Sequence, residues 1–110
     1  MTEYVQVSTA TPARDQAVEL AKGAVRNRLA AGSQIIGPVV SVFWHLGEFG
    51  EGEEWRLLLT TTTERYPELE KYLLESHPWD NPEVIAVPLT AGAPRCLEWI
   101  QASVAPQSPA

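Results

Sequence analysis

The chain has 110 residues, enough for one compact core and too few for two. Fourteen acidic side chains against eight basic ones leave a net charge of -6, which argues against a nucleic-acid or anionic-membrane partner. A single cysteine, Cys96, excludes an intrachain disulfide, and no apolar run approaches the roughly 18 residues of a membrane span; together these point to the reducing cytoplasm.

Val5 and Val7 alternate with polar neighbours over residues 4–9, the pattern of a half-buried strand. Thr11-Pro12 then reads as a cap followed by proline at the first helical position. The helix carries Val18, Ala21, Val25 and Leu29 on one stripe and is expected to end at Gly32. Gly23 lies inside it and weakens it by about 1 kcal/mol relative to alanine unless close packing requires the bare backbone.

Residues 34–46 form a long strand with both parities apolar, interrupted at Gly37-Pro38, where a bulge or bend is expected. The glutamate- and glycine-rich run 47–54 reads as a solvated hairpin loop, and 55–62 as the returning strand. A helix from Thr63 or Glu64 to Ser76 places Tyr66, Leu69 and Leu73 on one side, with Pro67 confined to its first turn. A short strand over 84–89 and a last helix with Leu97, Ile100 and Val104 inward complete the chain. Residues 1–104 make one domain and 105–110 a flexible tail.

This order predicts an α+β fold: a split β-α-β pair closing as a four-stranded antiparallel sheet with helices on one face, an extended hairpin and an extra C-terminal helix. The other face of such a sheet is left bare. With apolar side chains on both parities of the middle strands, it needs another sheet or another subunit to cover it. Four tryptophans spread over separate segments, Trp44, Trp55, Trp79 and Trp99, agree with association.

Chemistry-bearing residues gather in two places. His45 ends the apolar strand with Glu48 three residues on, which makes either a solvated hairpin end or a weak shared metal site. His77 stands where a helix stops and the proline-stiffened stretch His77-Pro78-Trp79-Asp80-Asn81-Pro82-Glu83 begins. Imidazole there serves as a metal donor, a titrating group or a cap on the helix end. Trp79 forms a cleft wall or packs on a neighbour, and Glu83 is placed to fix an amide or a cation. Cys96, beside Leu97 and Ile100, reads as an inert small hydrophobe. With no nucleophile beside a base and no phosphate loop, no enzymatic role and no organic cofactor are expected.

Four blocks in order, Arg28-Leu29-Ala30-Ala31, Ser41-Val42-Phe43-Trp44 leading to Gly47-Glu48, His77-Pro78-Trp79-Asp80-Asn81-Pro82-Glu83 through Pro88, and Leu97-Glu98-Trp99-Ile100, resemble the CutA family of divalent-cation tolerance proteins. The resemblance implies a ferredoxin-like subunit, similar in architecture to the PII signalling proteins, that assembles as a homotrimer with clefts between subunits. It implies a part in copper and other divalent-metal tolerance, with Trp79, Asp80 and Glu83 facing a small ligand. His77, His45 and Glu48 would be donors to a weakly held Cu or Zn ion. An alternative under the same resemblance is a signalling or protein-interaction trimer with no direct metal role. Family members commonly carry a cysteine directly after the Leu-Ala-Ala block, where this chain has Gly32, so a soft thiolate donor is missing.

Overall fold

Strands β1 (Tyr4–Thr11), β2 (Gly32–His45), β3 (Glu48–Thr62) and β4 (Ile85–Leu89) form one sheet in the order β2-β3-β1-β4. All neighbouring pairs are antiparallel. Helices α1 (Arg14–Arg26), α2 (Tyr66–Ser76) and α3 (Pro94–Val104) complete the α+β arrangement that the sequence predicts. The computed structural model describes residues 3–106, so positions 107–110 of the expected tail lie outside the described residues.

Strand parity decides where the core lies. Val7 of β1 stands opposite Leu59, and Thr9 opposite Leu57. Onto this face pack Leu20, Ala21 and Ala24 of α1 and Leu69 and Leu73 of α2, all buried. Each fully buried leucine contributes about 1.5–3 kcal/mol of transfer free energy. Gly23 has the packing reason its position requires: a Cβ there would collide with the Tyr72 hydroxyl, which donates to the Leu20 carbonyl at 3.0 Å.

Several boundaries differ from the sequence expectation. Thr11 does not cap α1 but closes β1, and its hydroxyl donates to the Ala13 carbonyl at 2.8 Å. The helix ends at Arg26 rather than Gly32. Asn27 returns its backbone N–H and its side-chain amide to the Gly23 carbonyl, and Arg28 turns the chain with φ 57°. Gly32 opens β2 instead, with the Trp99 ring so close that a Cβ would lie 3.1 Å from it.

The expected 47–54 loop is strand. Leu46 and Gly47, with φ of 51° and 80°, make a two-residue turn whose twist matches the strands on either side. The glutamates of this run therefore sit on β3, opposite Val39 to His45. Gly50 and Gly52 lie under the Phe43 ring, and a Cβ at Gly50 would approach it to 2.7 Å. The predicted irregularity at Gly37-Pro38 is present as a register shift between Ile36 and Val39, with a cis peptide at Pro38. It exchanges parity, so Val39, Ser41, Phe43 and His45 continue the face begun by Gly32, Gln34 and Ile36.

The helices do not all lie on one side. Ile100, Val104 and Leu97 of α3 pack with Ala31 and with Tyr4, whose parity is opposite to that of Val7, so α3 covers part of the face left bare by α1 and α2. Ile36, Ile85, Val87 and Trp99 remain exposed there. At the far end of the hairpin, Val40, Val42, Trp44, Leu46 and Phe49 are exposed as well, Trp44 by 75% and Leu46 by 90%. Cys96, expected as an inert small hydrophobe beside the apolar stripe of α3, is exposed.

Candidate functional site

A cleft of about 1070 Å³ lies between the outer half of the hairpin and the loop after α2. Phe43, Trp44 and His45 line it from β2, Glu54 and Arg56 from β3, and Trp79, Asp80 and Glu83 from the loop. The structure thus brings together the three residues expected to face a ligand, and adds His45 to them. Arg56 went unnoticed in the sequence. It stands on β3 opposite Ala10 and donates to Glu83 at 2.8 Å, and a lone arginine in a strand carries no local signal of a partner 27 residues away. With both side chains partly exposed, the pair contributes under about 1 kcal/mol to stability and matters more as a fixed polar anchor. Glu54 accepts from the Ser41 hydroxyl at 2.9 Å.

His77 lies next to this cleft rather than in its lining. It is the residue that ends α2, but its ring does not cap the helix carbonyls. Nε2 lies 2.7 Å from the Ala10 carbonyl oxygen, 67 residues away, and Nδ1 accepts the Trp79 backbone N–H at 3.1 Å. A carbonyl only accepts, so Nε2 carries the proton and Nδ1 the lone pair: a neutral ring with one assigned tautomer. Burial pushes its pKa below the usual imidazole value, partly offset by the Ala10 carbonyl. The Trp79 ring lies against it, 5.3 Å between centroids and tilted by 37°. In this arrangement His77 has no ring nitrogen free for a metal.

His45 and Glu48 stand in register at the two-residue turn, both exposed. His77 is not with them, and among the described residues there is no group of three His, Cys, Asp or Glu side chains able to hold a metal ion. Two donors at a hairpin end do not complete the tetrahedral set that a firmly held Zn ion takes. Among the described residues of one chain, His45 and Glu48 alone do not complete a site for a resident metal.

Comparison with known proteins places the chain in a family. The family model described as CutA1 divalent ion tolerance protein matches residues 5–103. The Divalent-cation tolerance protein CutA of Thermus thermophilus is 34% identical over 101 residues, 92% of this chain and 96% of the relative. Protein CutA of Mus musculus is 32% identical over 89 residues; the alignment covers 81% of this chain but 50% of the mouse protein. The chloroplastic CutA of Arabidopsis thaliana is likewise matched over 54% of its length.

The solved Thermus thermophilus structure superposes with a TM-score of 0.87 at 32% identity, covering 96% of this chain and 100% of the other. The CutA1 structure from Oryza sativa gives 0.90 at 28% identity, covering 96% of each. The family is described by ion tolerance rather than by a reaction, in keeping with a chain for which no catalysis is expected. By sequence and by fold, the chain belongs to the CutA1 divalent ion tolerance protein family.

Proposed function

We propose that the chain works as a homotrimer in divalent metal ion tolerance, copper included, and takes a small ligand in clefts shared between subunits. One observation carries the reading: the row Val40, Val42, Trp44, Leu46 and Phe49 stands exposed on a long hairpin beside the cleft. Apolar surface of that extent, next to the open edge of β2, is expected to be covered by protein. A second copy supplies the same strands and the same exposed residues, which supports self-association. In this reading Trp79, Asp80 and Glu83 face the ligand, Arg56 orients it, and any metal is held weakly by His45 and Glu48 with donors from elsewhere. The lone exposed Cys96 supports a cytoplasmic location, while the names of relatives include chloroplastic and periplasmic proteins.

The engagement of both His77 nitrogens by backbone favours a second reading, a signalling or interaction trimer whose link to metal is indirect. Native mass spectrometry with calorimetry separates the two. Three-subunit particles with saturable Cu(II) or Zn(II) binding that is lost in His45→Ala support the first. Three-subunit particles with no metal binding support the second, and a well-folded single subunit at micromolar concentration overturns both.

A further inference from the structure

Both ends of the loop that walls the cleft are fastened at one rung of the sheet. His77 bonds the carbonyl of Ala10, and Glu83 is held by Arg56, the residue opposite Ala10 in the β1–β3 register. Between these two fastenings run Trp79, Asp80 and Asn81, all lining the cleft. The Arg56–Glu83 fastening is ionic and partly exposed, so salt weakens it. The His77 fastening is of a different kind, because its second contact, from the Trp79 N–H to Nδ1, needs the neutral ring.

We propose that His77 is a proton-sensitive latch on the cleft: neutral, it ties the Trp79–Glu83 wall to β1, and protonated, it releases that wall. The reason lies in the donor and acceptor count. In the neutral ring, Nε2–H meets a carbonyl and Nδ1 meets an N–H, so both contacts are satisfied. A second proton can only go to Nδ1, which then confronts the Trp79 N–H donor to donor. The imidazolium keeps Ala10 and loses the Trp79 N–H, so the backbone that carries the indole is no longer bonded to the ring. The chain then frees a residue that forms part of the cleft lining.

No charged side chain offsets this. The surrounding elements carry charged residues that include Arg56 on β3, already paired with Glu83; Asp80 in the loop; Glu75 in the last turn of α2; and Arg14, Asp15 and Glu19 on α1. The shift of the His77 pKa has burial as its larger cause and the Ala10 carbonyl as the smaller, with no charged side chain among its causes. The latch therefore holds at neutral pH and opens below the ordinary imidazole range, below about 6.5. As regulation of the cleft, the latch rests on the reading of that cleft as a ligand site, whereas the loop movement itself does not.

The test uses the full-length ligand-free protein, so its failure is distinct from failure of the ligand reading, and native mass recorded in parallel reports assembly separately. Nitrogen NMR of the histidines assigns the tautomer at about pH 7.5, and the Trp79 backbone amide is followed down to about pH 5. We expect His77 as the Nε2–H tautomer, with the Trp79 amide moving upfield in one single-proton step that shares the His77 midpoint. In His77→Gln, whose amide offers a donor and an acceptor but does not titrate, that step disappears. An Nδ1–H tautomer at neutral pH, a Trp79 amide insensitive to pH, or a step that survives in His77→Gln overturns the proposal. The wild-type tautomer decides the matter if the variant fails to fold.

Discussion

Replacement of Trp44 by aspartate tests whether the hairpin is an assembly surface. In the single chain Trp44 keeps 75% of its surface and rests edge-on against Phe49, with ring centroids 5.8 Å apart. A tryptophan removes about 150–200 Å² from water when a partner covers it, which at about 25 cal/mol/Å² is worth about 4 kcal/mol per subunit. An unpaired carboxylate in the same place adds a desolvation cost of several kcal/mol. The subunit itself loses little, because the side chain contributes almost nothing to the core formed by α1, α2 and the sheet. The expected outcome is a fall from a three-subunit to a one-subunit mass at low micromolar concentration, seen by light scattering after gel filtration. Far-ultraviolet circular dichroism should stay close to that of the wild type. A Trp44→Asp protein with unchanged mass and melting temperature would refute the assignment of this surface.

Other substitutions probe the subunit. Gly23→Ala, which stabilises an exposed helix by about 1 kcal/mol, should here destabilise by about 1–2 kcal/mol in urea titrations, because the methyl displaces the Tyr72 hydroxyl from Leu20. Thr9 is fully buried with no partner for its hydroxyl among the described residues, so Thr9→Val should raise stability by about 1 kcal/mol. Thr61→Val should do the opposite and cost about 1–2 kcal/mol, since the buried Thr61 hydroxyl donates to the Leu29 carbonyl at 2.7 Å. The folded state holds His77 neutral, with a pKa below its unfolded value. Its contribution is fully present above about pH 6.5 and is lost as pH falls through the folded value, so chemical denaturation at stepped pH should show a decline over that window that is absent in His77→Gln.

The element order was legible because proline, glycine and strand alternation punctuate this chain clearly, and the Gly37-Pro38 irregularity fell where the bulge is. The Glu48–Glu54 strand was not legible, since its local composition is that of a solvated loop. It is extended because a two-residue turn sets it against apolar β2, and its glycines admit the Phe43 ring. The side on which α3 packs was equally hidden, because an amphipathic stripe shows that a helix is buried without showing against what. In the site, the gathering of Trp79, Asp80 and Glu83 followed from one stiff loop. The use of His77 did not, because its main partner is a carbonyl far along the chain, and backbone acceptors leave no mark in the identity of the residue that bears them.

The hollows left by glycine set terms for how this sequence can drift. Trp55 lies over Gly37, where a Cβ would come within 2.7 Å of the indole and 3.2 Å of the Glu54 carbonyl oxygen, so the strand itself offers no retreat. Phe43 over Gly50 and Tyr72 against Gly23 repeat the arrangement with side chains that can swing aside. Each ring and its bare neighbour therefore form a two-letter word, in which a change to one letter stays costly until the other changes too. Trp55 and Gly37 should be the most tightly bound of these words, and a double-mutant cycle across them the most strongly non-additive.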